Sequence, residues 1–312
     1  MTWLGLCNTS IPPQFTRWIF GDRVRAAKFP GDYAASHASR PKPAPAEMAW
    51  RGEDTKGTPM AIAAGASDIL LNGEFPDLSD EFVSELVSSI DRGGYGVVSH
   101  YVKQRELDQL RAFVEDTVRA AENQYVCFTG CEDLAGTPLE RMAKSPIFRR
   151  LCTRVYERAT GNQAPDQPYY QILRCLTGSS SQQHSLRFHY DSYVLTALLP
   201  ICVPGGRRSG ELLMVPNTRS VRTWYAQNLI DKLLVDNPLT QLLLKRLAEA
   251  RSSHLVRIKL KPGNLYLFWG YRSIHTNEPC DPDKTRATAL FHYVDPHTDS
   301  RLKRALRGSG PL

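Results

Sequence analysis

The chain has no C-x-x-C pair, and its cysteines are odd in number: seven in 312 residues. Scattered, unpaired thiols argue against a disulfide framework and for a reducing compartment. No uninterrupted apolar run approaches the ~18 residues that a membrane span needs, so no transmembrane helix is expected. The opening stretch, MTWLGLCNTSIPPQF, has neither a basic n-region nor a long apolar h-region. No secretory signal is read there, and a cytoplasmic location is expected. Internal repeats are also missing, which argues against solenoids and propellers. Excess charge is small: 39 Lys and Arg against 32 Asp and Glu, a net +7. That balance favours anionic partners without choosing among them.

What is present describes a globular protein. Apolar residues make up 42% and charged residues 23%, enough to bury a sizeable core over this length. Residues 1–75 are poorly patterned, and SHASRPKPAPAEMAWRGEDTKGTP reads as an extended arm. A single domain is expected over 76–300, followed by a basic tail over 301–312. Helices are expected within 78–160. Phe82, Leu86 and Ile90 share one helix face, which Gly93-Gly94 ends. Leu107, Leu110, Val114, Val118 and Ala121 mark a second helix. Ser145, Pro146 and Gly161 supply the cap, first turn and stop of a third.

After Gly161 short apolar segments alternate with turn signals: YYQILRCL, SYVLTALLPICV, GELLMVP, LVRIKL, NLYLFWG and RATALFHYV. This texture predicts a sandwich or barrel over 166–297. A helical insertion over 223–251 interrupts it, split by Asn237-Pro238. The insertion reads as a lid or an oligomer interface, and its leucines at 229, 233, 234, 242, 243 and 247 read as packing. The chain is thus α+β, with helices supporting an all-β core.

Within LRFHYDSYVLTALLP, His189 and Asp191 stand at the mouth of an apolar run. On a strand, residues i and i+2 share a face, so the imidazole and carboxylate can converge on one cation. The pattern is weak alone: chance supplies on the order of one such pair, and His297-Thr298-Asp299 is a second. Context separates them. Downstream of His189, KPGNLYLFWGYRSIHTNEP reads as a turn (Pro262-Gly263-Asn264) and a strand, with His275 just past its end. Two histidines and one carboxylate on one side of an iron, with open positions opposite, form the facial triad of non-haem Fe(II) oxygenases. Arg286 follows in TRATALFHY, with Thr288 on the same strand face. A bidentate guanidinium in a dry pocket suits the distal carboxylate of 2-oxoglutarate, and Thr288 can donate to the same group.

In this order the residues resemble the Fe(II)/2-oxoglutarate-dependent dioxygenases, over roughly residues 75–297. SGELLMVPNTRS is similar to their G-x-L-x-x-x-P-x-S/T segment, and KPGNLYLFWGYRSIH to G-D-L-x-x-F-x…H, with Asn264 where Asp is commoner. The resemblance implies a double-stranded β-helix, a jelly-roll of the cupin kind. It implies His189, Asp191 and His275 as metal ligands, and Arg286, Thr288 and Gln171 as cosubstrate contacts. Fe(II), 2-oxoglutarate and O2 are the implied cofactor and cosubstrates, and hydroxylation of a C–H bond the implied reaction. The second arginine of the nucleic-acid demethylases is missing from RATALFHY, and no nucleic-acid partner is expected.

The resemblance extends toward the bacterial hydroxylases that oxidise C3 of Kdo, the inner-core sugar of lipopolysaccharide, on lipid A. An anionic small molecule or glycolipid is therefore the expected substrate, with Arg174, Arg187 and His184 as candidate contacts. Arg207-Arg208 reads as a solvated turn or a further anion contact, and His292 as a packed or hydrogen-bonded core histidine. The basic stretches RWIFGDRVRAAKF and SRLKRALRGSG read as solvated termini or as a peripheral contact with the anionic inner face of a membrane. A homo-oligomer is a further expectation. The rival readings are a hydroxylase of an amino acid or natural product, a non-catalytic cupin-like metal-binding protein, and a membrane-surface scaffold.

Overall fold

A computed structural model describes residues 75–206 and 208–307. The expected N-terminal arm with its basic cluster, Arg207, and the last five residues lie outside the described residues.

Two amphipathic helices, α1 (Asp80–Gly93) and α2 (Gln104–Ala120), flank strand β1 (Tyr95–Val98). Ser79 caps α1 by accepting the Phe82 N–H at 3.2 Å. After β2 (Val126–Thr129) come α3 (Pro138–Lys144) and α4 (Pro146–Thr160). The α4 boundaries are those its sequence signals predict: Ser145 caps it, Pro146 opens it, and Gly161 closes it in the left-handed region.

The β core follows: β3 (Tyr170–Leu176), β4 (Leu195–Cys202), β5 (Leu212–Val215), β6 (Val256–Ile258), β7 (Leu265–Phe268), β8 (Ile274–Asn277) and β9 (Arg286–Tyr293). A six-stranded sheet has the order β1-β7-β4-β9-β3-β2, and a three-stranded sheet the order β6-β5-β8. Every pairing is antiparallel. A single bridge at His189 extends the small sheet beyond β8. The chain therefore visits the sheets alternately: β3 large, His189 small, β4 large, β5 and β6 small, β7 large, β8 small, β9 large. That winding is a jelly-roll, here an open sandwich rather than a closed barrel.

Strand periodicity sorts the core into layers. Tyr266, Phe268 and Leu198 of the large sheet meet Leu212, Met214 and Ile258 of the small one. The opposite face of the large sheet, including Leu195, Ala197, Leu199 and Phe291, packs on α1–α4. The outer face of the small sheet, through Leu213, packs on the insertion.

The insertion is two helices, α5 (Tyr225–Asp236) and α6 (Pro238–Glu249), divided at Asn237, which caps α6. Reading its double row of leucines as packing holds for Leu247, which joins the cluster beneath the insertion, and is corrected for four of the six. Leu233, Leu234, Leu242 and Leu243 are exposed, because Val235, Leu244 and Ala248 already supply the inward contacts. A short helix, α7 (Arg301–Arg307), ends the described chain within the basic tail.

Two helix-ending glycines give a test of this packing. Both have positive φ, +91° at Gly94 and +68° at Gly161. A Cβ at Gly94 would stand 2.4 Å from Pro216 Cβ, whereas nothing lies within 4 Å at Gly161. Gly161→Ala should cost only the left-handed penalty of about 1–2 kcal/mol. Gly94→Ala should cost ~1–3 kcal/mol more through overpacking. Urea denaturation measures the difference, and equal losses would contradict the packing of the α1–β1 corner on Pro216.

Candidate metal centre

The segment from Leu186 to Val194 crosses from one sheet to the other. It runs along β8 first: Leu186 N–H donates to Asn277 O at 2.9 Å, and His189 and His275 exchange backbone hydrogen bonds of 3.1 and 3.0 Å. Asp191 N–H then donates to Gly270 O, and Val194 N–H to Val294 O beside the end of β9. His189 and Asp191 thus lie on the crossing itself. The expectation that they begin the β4 strand is corrected, since β4 starts only at Leu195. A chain leaving one sheet for another cannot keep a continuous ladder with either.

The crossing and β8 bring three side chains together. Asp191 Oδ1 is 3.7 Å from His189 Nε2 and 3.5 Å from His275 Nε2. These are the metal-competent three among the described residues, with ligand atoms all within 4.8 Å of one another. Each histidine has its other nitrogen engaged. Nδ1 of His189 lies 3.0 Å from Arg187 O, and Nδ1 of His275 lies 3.0 Å from Ser273 O. A carbonyl only accepts, so both Nδ1 atoms carry the proton and both Nε2 lone pairs face the centre. The donor set fits a divalent iron with two imidazoles and one carboxylate.

Asp191 is 8% exposed, where the crossing meets both sheets. Burial alone would raise its pKa, but His275, His292 and His189 outweigh it and hold the carboxyl well below the usual carboxylate range. Its second oxygen is also occupied. Thr196 Oγ1 donates to Oδ2 at 2.5 Å and lies 3.1 Å from His292 Nδ1. Oδ2 is thereby tied to the large sheet, and Oδ1 is left facing the two Nε2 atoms. Burial works against charge on His275, yet Asp191 prevails and its pKa is raised. His189 is lowered, first by desolvation and then by the His275 imidazole. Gly270 makes the arrangement possible: a Cβ there would stand 2.1 Å from Asp191 Oδ2 and 2.4 Å from Thr196 Oγ1.

The insertion grips the crossing from outside. The Gln241 amide accepts from Phe188 N–H at 3.1 Å and donates to Phe188 O at 2.7 Å, next to His189. Lys232 Nζ donates to Ser192 Oγ at 2.8 Å, next to Asp191.

The large sheet carries the rest of the site. Arg286, Thr288, Leu290 and His292 alternate along the inner face of β9, and the register places Arg174 opposite Thr288. Arg286 is 2% exposed. Its Nε donates to Gly210 O at 2.8 Å and its Nη1 to Thr288 Oγ1 at 3.4 Å. No carboxylate pairs with it among the described residues. Burial, and then the like charge of Arg174, push its pKa down to about 9. Gln171 is on the other face, paired with Phe291, so the register turns it away from Arg286 and Thr288. Arg174 donates to His184 O at 3.0 Å, and its Nε is buried without a partner. Its charge also bears on His189 and His275. The His184 ring stacks on Tyr125 at 3.8 Å and does not join the metal group. Arg187 meets the site through its carbonyl. The competing pair at His297 is spoken for: its Nε2 lies 2.8 Å from the Tyr271 hydroxyl.

Sequence reading missed Thr196, Gly270, Gln241 and Lys232. A lone threonine in the apolar run VLTALLP was a usable signal for Thr196. The other three act through the crossing, which no local pattern announces. Gly270→Ala should abolish tight metal binding by displacing Asp191, with the far-UV circular dichroism unchanged. Thr196→Val should weaken it by roughly 10–100-fold, the usual scale for a residue orienting a ligand. Co(II) titration followed by absorption measures both, and wild-type affinity in Gly270→Ala would contradict this geometry.

No protein-family model matches the chain, and no curated protein matches it. Solved structures do. A prolyl hydroxylase from Trichoplax adhaerens, in complex with a hypoxia inducible factor oxygen degradation domain peptide fragment, is similar at 14% identity and a TM-score of 0.48, covering 74% of this chain and 94% of that one. A Pseudomonas putida prolyl-4-hydroxylase is similar at 10% identity and a TM-score of 0.45, covering 68% and 100%. A non-haem α-ketoglutarate-dependent epimerase from nogalamycin biosynthesis is similar at 14% identity and a TM-score of 0.45, covering 75% and 93%.

Proposed function

We propose that the protein is a non-haem Fe(II)- and 2-oxoglutarate-dependent hydroxylase. One combination carries the reading. Three metal-competent donors converge between the sheets, and in the same inter-sheet space a buried arginine stands without a carboxylate partner. A metal-binding protein without turnover has no use for the second feature. An uncompensated buried cation is costly, and an anionic ligand offsets that cost.

In this reading His189 Nε2, His275 Nε2 and Asp191 Oδ1 hold Fe(II). The iron, with 2-oxoglutarate and O2, supplies the power to oxidise an unactivated C–H bond. The chain's own groups bind and orient. Arg286 receives the distal carboxylate of 2-oxoglutarate through its guanidinium, and the Thr288 hydroxyl sits against the same nitrogens. Thr196 keeps Asp191 turned so that one oxygen serves the metal. Phe268, whose ring is 5.0 Å from that of His275, keeps the inner wall apolar.

Arg174 supports an anionic substrate. Its guanidinium is held by His184 O and the Tyr125 side chain, its Nε is buried without a hydrogen-bond partner, and it lies in electrostatic reach of both histidines and of Arg286. The Kdo sugar of Kdo-lipid A, hydroxylated at C3, is the first candidate on the strength of the sequence resemblance. Peripheral contact with an anionic membrane belongs to the same reading; no described helix is long and apolar enough to cross a membrane. An amino acid or small natural product is the alternative substrate.

The protein loaded with Fe(II) should form succinate from 2-oxoglutarate under O2. With the right substrate it should add one oxygen atom, seen by mass spectrometry of a panel that includes Kdo-lipid A. Arg286→Gln should raise the KM for 2-oxoglutarate by more than tenfold and leave metal affinity unchanged. No succinate from metal-loaded wild type would contradict the proposal. Succinate without oxidation of any glycolipid would remove the Kdo assignment alone.

A further inference from the structure

The two insertion helices are apolar on two sides. One side faces inward, where Val235, Leu244 and Ala248 pack with Phe188 and Leu213. The other carries Ile230, Leu233 and Leu234 on α5 and Leu239, Leu242 and Leu243 on α6, each between 53% and 77% exposed. On each helix these are an i, i+3, i+4 triplet, so each forms a continuous stripe. A helix that is hydrophobic all round is normally covered all round. We propose that this outer face is covered by the same face of a second copy of the chain, forming a homodimer.

Area and charge both favour that occupant. A standard interface takes ~800 Å² from each partner. In homodimers about 65% of it is apolar, so each partner must offer roughly 500 Å² of apolar surface. Six aliphatic side chains, each showing on the order of 100 Å², meet that need. They also lie at the upper limit of the ~300–600 Å² apolar patch of an ordinary monomer. An anionic lipid surface would call for a cluster of ~4–8 cations beside the stripe. The exposed ionic groups of these two helices are instead balanced: Lys245 and Arg246 against Asp236 and Glu249. Arg246 and Glu249 already approach within 3.7 Å. A twofold axis presents the same patch from both sides, and a balanced patch with an uncharged apolar centre does not repel its own copy. The pairing would also brace Gln241 and Lys232, which hold the ligand-bearing crossing. The inference does not depend on the proposed chemistry.

Sedimentation velocity of the full chain over a dilution series tests it. Wild type should sediment as a dimer at micromolar concentration and dissociate by mass action on dilution. Leu233→Glu with Leu242→Glu should be monomeric at every concentration, with wild-type circular dichroism and metal affinity. Should that variant misfold, cross-linking of mixed isotope-labelled wild-type copies gives an independent reading, in which Lys245 should link across copies. A wild type monomeric throughout overturns the proposal, as does a dimer that survives the substitutions. Lys245 cross-links confined to single copies also overturn it. Binding of wild-type monomer, but not of the variant, to phosphatidylglycerol vesicles would assign the face to lipid and overturn it too.

Discussion

The carboxylate of Asp191 is a charge placed between two apolar sheets, and the surrounding architecture answers to it. Isolated, such a group would protonate or pull the sandwich apart. Three imidazoles lie around it, with His292 Nδ1 3.5 Å from the oxygen that Thr196 also holds. The two oxygens divide their work: one is fixed to the large sheet, the other faces His189 and His275. Asp191 and His275 are buried while the His189 side chain is 43% exposed, and the crossing segment bonds to both sheets. The placement of the three donor side chains here follows from strand winding.

The same winding explains where the chain spends its special residues. Gly270 leaves room for Asp191 and Thr196, which a side chain would occupy. Arg286 begins the last strand two places from Thr288, so one face of β9 presents the guanidinium, a hydroxyl and finally His292 in sequence. Arg174, opposite Thr288 on the neighbouring strand, places a second guanidinium beside Arg286, which reaches Gly210 O.

Much of this was legible in the sequence because it rests on periods. Helix faces, caps at Ser145 and Gly161, and the six strand segments are local signals, and each appears where the pattern puts it. The convergence of three donor side chains was legible through order: a His-x-Asp pair no better than the pair at His297 is singled out by His275 after it. What stayed hidden is non-local. That His189 and Asp191 ride a crossing depends on distant partners: Asp191 bonds Gly270, 79 residues further on, and Val194 bonds Val294, 100 residues further on. Gln171 looked serviceable for the cosubstrate, but strand alternation sends it to the opposite face. The leucines of α5 and α6 have the spacing of buried rows, and spacing alone cannot say which of two apolar stripes meets the protein's own core.

The central claim is that the metal donors and Arg286 form one site for one chelating dicarboxylate. Anaerobic addition of 2-oxoglutarate to the Fe(II)-loaded protein tests it most directly, through the visible charge-transfer absorption that arises when a 2-oxo acid chelates the iron. The account predicts a saturable band in wild type. In Arg286→Gln the same band should need far more 2-oxoglutarate, with iron affinity unchanged. A wild-type protein that binds iron and shows no band at any 2-oxoglutarate concentration would contradict it, as would a band indifferent to Arg286.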